Sequence, residues 1–154
     1  MPAMINNNFS NRSTIIAVAF LWTGFVSAIS FMEAWLKFKA QGITLPIGLS
    51  IGKLVFTALN HVEWVLAIAM MMPMLFTKRK KRIVGKLLFV IALTVLLFQT
   101  FWLLPQLSQQ ATWVIEGKNI APSNLHIAFI ICELIKVSSL VTLGLLNMQK
   151  EKYN

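Results

Sequence analysis

Five side chains able to carry charge or hydrogen bonds interrupt two long apolar runs of this chain: Asn60, His61 and Glu63 in one, Glu133 and Lys136 in the other. Ionisable groups inside apolar helices are costly, and they face a bundle interior or a water-filled cavity. At about 100° per residue, Asn60 and Glu63 lie some 60° apart on one helix face. His61 points roughly 160° away from Glu63, on the side of Thr57 and Trp64, so the His-x-Glu pair is not a ready-made chelate. On the second run Lys136 follows Glu133 by three residues, the spacing of an intrahelical ion pair. A rise of 1.5 Å per residue puts Glu63 roughly 18 Å and Glu133 roughly 15 Å from the same end of their helices. Asn60, Glu63, Glu133 and Lys136 are therefore expected to meet near mid-depth. Two glutamates against one lysine leave a charge to be balanced by a proton or a cation.

The neighbouring apolar runs add Gln99, which shares a face with Gln106, and Glu33, with Ser30 one turn before it and Lys37 one turn after it. The candidate binding or ion-pathway set is thus Glu33, Asn60, His61, Glu63, Gln99, Glu133 and Lys136. The plainer alternative is that these groups only hydrogen-bond one another and fix helix packing. A metal or haem reading rests on His61 and His126, the only two histidines. His126 lies about 6 Å inside its helix and His61 about 15 Å, which does not suit two axial ligands of one haem. The Glu-x-x-His spacing of carboxylate di-metal sites does not occur. Met70, Met71, Met72 and Met74 offer thioethers of the kind that suit Cu(I), but the end of an apolar helix favours packing. No glycine-rich phosphate loop, nucleophile elbow, His-Glu-x-x-His or cysteine pair is present, and no cofactor is specified.

These side chains must be positioned by helices. With 57% hydrophobic and 12% charged residues, and a mean hydropathy of +0.72, the chain has the composition of a membrane protein. Spans are predicted at about 14–36, 51–76, 83–104 and 124–146, each near the ~20 residues that a crossing needs. The fold class expected is all-α: an integral membrane four-helix bundle forming a single domain, with Pro73 fraying the second span and Pro105 closing the third. Lys37 to Gly52 and Gln106 to Asn124 read as connections, and Met1 to Arg12 as a polar tail. Val26-Ser27-Ala28 also fits a signal-peptide cleavage site, but the apolar character continuing through Phe31, Met32 and Trp35 suits a retained helix. Of 14 basic residues, six fall in Lys78-Arg79-Lys80-Lys81-Arg82 and Lys86, between two spans. That placement predicts a cytoplasmic second loop and hence both termini in the cytoplasm. The net charge of +9 is topology of this kind, not a nucleic-acid surface, and no nucleic-acid partner is expected. The single Cys132 excludes an intrachain disulfide.

The block Ser30-Phe-Met-Glu-Ala-Trp-Leu-Lys-Phe-Lys-Ala40, with Leu45-Pro46-Ile-Gly48, Gly52-Lys53 and Asn60-His-Val-Glu-Trp64, resembles small four-helix bacterial inner-membrane proteins without an assigned activity. The resemblance covers mainly the first two spans and implies four helices in a bacterial inner membrane. A looser similarity to copper-resistance-type four-helix membrane families is of architecture only. The function expected is a polytopic protein whose Glu/Asn/His/Lys cluster binds or conducts a proton, a small cation or a small polar solute. Two alternatives stand beside it: a non-catalytic accessory or scaffold subunit, and a haem- or metal-binding redox protein. Partners expected are the lipid bilayer and either a second copy of the chain or other members of a membrane complex.

Overall fold

The computed structural model describes residues 3–75, 83–118 and 124–149, with side chains from Asn11 onward. All regular structure among them is helical. α1 (Ala3–Val26) runs through a π-helical segment (Ser27–Glu33) into α2 (Ala34–Leu36) and a 3-10 turn (Lys37–Lys39). α3 (Leu45–Leu75) is the second rod. α4 (Ile83–Phe98) passes through a π segment (Gln99–Leu103) into α5 (Leu104–Ile115), and α6 (Leu125–Gln149) closes the bundle. Four rods are therefore long and apolar enough to cross a membrane. α1 packs on α3 and α6, α4 on α6, and α5 on α3, so each rod borders two others. The basic segment Lys78–Arg82, Pro122-Ser123 and the tail lysines Lys150 and Lys152 lie outside the described residues.

Three stretches expected as tail or loop are helical instead. α3 starts at Leu45, because Pro46 falls in the first turn, where no backbone N–H needs a helical partner. Gly52, expected in a connection, is buried against the first rod. A Cβ there would sit 2.9 Å from the Lys37 Nζ, so glycine serves close approach. The third rod does not stop at Pro105. Pro105 is the second residue of α5, directly after the π segment, whose widened turn takes up the missing N–H and the bulk of the ring. The helix then runs to Ile115 and ends on a Schellman motif. Gly117 (φ +75°) donates to the Val114 carbonyl at 3.0 Å, and Lys118 to that of Trp113 at 2.9 Å. At the N-terminus α1 already begins at Ala3. Arg12 donates from Nε to the Asn147 carbonyl at 2.6 Å and also reaches the Met148 carbonyl, so it satisfies the last turn of α6. The start of the first rod and the end of the fourth lie side by side.

The half of the bundle nearest that junction is filled by Ile15, Ala19, Leu66, Ala67, Met70, Phe89, Ala92, Leu96, Leu140 and Leu143, all buried. The outward faces are apolar too, with Leu54, Val65, Ile68, Leu87, Val90, Phe101, Ile131 and Leu134 exposed. Polar side chains gather inside. This is the reverse of a water-soluble bundle.

Candidate functional site

Every rod supplies a side chain to one buried cluster. α6 presents Glu133 and Lys136, both fully buried, and the ammonium of Lys136 lies 3.4 Å from the Glu133 carboxylate. The same ammonium reaches across to α3 and donates to Glu63 Oε1 at 2.5 Å. Trp22 of α1 donates its indole N–H to the same oxygen at 2.8 Å. Gln99, the first residue of the π segment in the third rod, donates Nε2 to Glu133 Oε1 at 3.0 Å. Lys136 thus bridges two carboxylates with unequal support. Glu63 holds an indole and a short ammonium contact on one oxygen. Glu133 holds an amide and, at a long 3.4 Å, the same ammonium on Oε1, while its Oε2 is buried with no hydrogen-bond donor and only the ion-pair contact to that ammonium at 3.4 Å. Gln99 Oε1 is a second buried acceptor without a donor, and Ser30 Oγ, in the π segment of the first rod, is likewise unpaired.

The charge count decides what the cluster can do. Two carboxylates and one ammonium carry one net negative charge when all are ionised, and an uncompensated charge in a dry interior costs several kcal/mol. One further positive charge, a proton or a monovalent cation, makes the group neutral. Glu133 Oε2 and Gln99 Oε1 are the oxygens with capacity left to receive it.

The other candidates from the sequence go elsewhere. Asn60 shares the Glu63 face but turns to the third rod, donating to Thr100 Oγ1 at 2.8 Å, and Trp64 donates to the same oxygen at 3.2 Å. Thr100 in turn donates to the Leu96 carbonyl. His61 is exposed on the outer face of α3, away from the cluster, and Gln106 is exposed as well. Glu33 pairs with Lys37 at 3.2 Å near the far end of the first rod and does not touch the cluster. His126 is exposed at the rim of a cavity one to two turns beyond Glu133. The two histidines do not converge, and among the described residues no group of three or more His, Cys, Asp or Glu could hold a metal ion. The methionines separate: Met70 is core, while Met71 and Met72 are exposed.

Trp22, a member of the cluster, and Thr100, the partner of Asn60 outside it, are the residues that sequence reasoning missed. A tryptophan in the middle of a long apolar helix, away from either end, needs an acceptor for its indole N–H, and that was the available signal. Thr100 gave none, since its direction depends on the π segment. A search against protein families, curated proteins and solved structures finds no match to the chain.

Proposed function

We propose that this is a multi-pass protein of the bacterial inner membrane, with both termini cytoplasmic, that takes one proton or small monovalent cation onto the Glu63–Lys136–Glu133 cluster from the non-cytoplasmic side. Membrane insertion is supported by four long apolar rods with apolar outer faces. Orientation is supported by Arg12 at the shared terminal end and by the basic segment Lys78–Arg82. The observation that carries the ligand reading is the buried Glu133 Oε2, without a hydrogen-bond donor, in a cluster with one carboxyl too many.

Binding is favoured over open conduction. On the terminal side the cluster is backed by the closed apolar packing of Leu66, Met70, Leu96, Leu140 and their neighbours. On the other side a cavity begins at Phe129, one turn from Glu133, and Phe56 and Phe129 meet edge to face (5.2 Å between ring centroids) across its floor. Exchange therefore runs through the mouth, gated by that pair of rings.

Infrared spectroscopy of the purified protein in nanodiscs tests this. Wild type and Glu33→Gln should show the carbonyl band of a buried protonated carboxyl, and Glu133→Gln should lose it. If a cation is the occupant, the band is absent and sodium or lithium chloride, but not choline chloride, raises thermal stability in a Glu133-dependent way. Neither the band nor a cation effect in wild type would overturn the proposal.

A further inference from the structure

The cavity at the mouth is a site in its own right. It measures about 160 Å³ and is walled by all four rods, close to the roughly 150 Å³ of an apolar cavity that admits benzene. Three phenyl rings, Phe38, Phe56 and Phe129, line it. Lys37 projects among them with its side chain only 9% exposed, held by Glu33 at 3.2 Å and lying 5.5 Å from the centroids of both Phe38 and Phe56. That seat exists because residue 52 is glycine: an added Cβ would press on the ammonium at 2.9 Å. Lys53, donating to Thr112 at 3.2 Å, and His126 stand at the rim. No acid lines the cavity, so it is an aromatic box with a cationic edge.

We infer that this cavity binds a single-ring aromatic compound carrying an acidic oxygen, a carboxylate or phenolate, with the ring among Phe38, Phe56 and Phe129 and the oxygen at Lys37 and Lys53. Ring faces and edges stack on other rings, and a ring of this size fills the volume. Lys37, already paired with Glu33, has N–H donors left to offer, and the exposed Lys53 supplies the positive charge that balances an anion. The inference is independent of the proton or cation assigned to the deeper cluster. The acidic ring can come from a free aromatic acid or from the head of a membrane-soluble quinol.

Benzoate, hexanoate and a short-chain quinol are the probes, with binding to the purified full-length protein read by saturation-transfer NMR and by thermal shift. Benzoate or the quinol should bind at least tenfold more tightly than hexanoate; a preference between the first two identifies the source. Ala111→Leu, which fills the cavity from α5, should abolish binding in a protein that keeps its helical circular dichroism. Gly52→Ala, which displaces the Lys37 ammonium but retains its charge, should weaken it severalfold, and Lys53→Met likewise. Equal binding of hexanoate, no binding of either ring compound, or binding unaffected by both Ala111→Leu and Gly52→Ala would overturn the inference. Glu133→Gln should leave ring binding unchanged, which separates this site from the cluster below it.

Discussion

At the mouth, Glu33 and Lys37 stand four residues apart on one rod, with their side chains 24% and 9% exposed. In the interior, Lys136 joins carboxylates from two different helices with all three side chains between 0% and 4% exposed. The residue types are the same. In the first pair water and two aromatic rings share the charge, so either partner can be lost cheaply. In the second, one ammonium serves both carboxylates, and its removal leaves them stranded. Burial and chain separation, not the chemistry of the side chains, set what each group contributes.

The sharpest break of that comparison is Lys136→Met. It leaves two carboxyls facing each other without a cation and should cost about 3–5 kcal/mol, read by denaturant titration in detergent micelles or as failure to accumulate in the membrane. Adding Glu63→Gln and Glu133→Gln to it should recover most of that loss; a triple variant as unstable as the single one would show that packing, not charge, is responsible. Next comes Trp22→Phe, which keeps the ring volume and removes a hydrogen bond to a charged group, expected at about 1.5–3 kcal/mol in the same titration. Thr100→Val strips an acceptor from both Asn60 and Trp64 and should cost about 1–2 kcal/mol. At the mouth, Glu33→Gln should change stability by less than about 1 kcal/mol. A loss as large as that of Lys136→Met would erase the distinction between the two regions.

Where a helix keeps its 100° step, residue spacing was enough to read which side chains share a face. The Glu133–Lys136 pair and the separation of His61 from Glu63 on α3 follow from phase, and the shared level of Glu63 and Glu133 from the rise per residue. The Glu33–Lys37 contact was visible for the same reason. Four apolar helices were legible from composition and run length. The misses share a physical cause. Pro105, Pro46, Gly48 and Gly52 carry the marks of turns, but tertiary packing overrode them: glycine served close contact with the first rod, and a π segment absorbed the proline. Asn60 shows the limit of face arguments. A side chain on the correct face still chooses between neighbours, and here a hydroxyl on the third rod took it from the carboxylates.

The two π segments, Ser27–Glu33 and Gln99–Leu103, occur on the rods that rise in parallel from the terminal end, starting at or within two turns of the level of the cluster. Each wide turn carries more residues than an α-helical turn of the same height, so the side chains beyond it are rotated out of step with those below. Lys37 on the first rod and Leu107 on the third are therefore aimed independently of Trp22 and Leu96. The bundle behaves as two stacked storeys with a phase joint between them. Sequence drift in the mouth, even by insertion or deletion at the joint, can redirect the aromatic box while the floor below keeps its register.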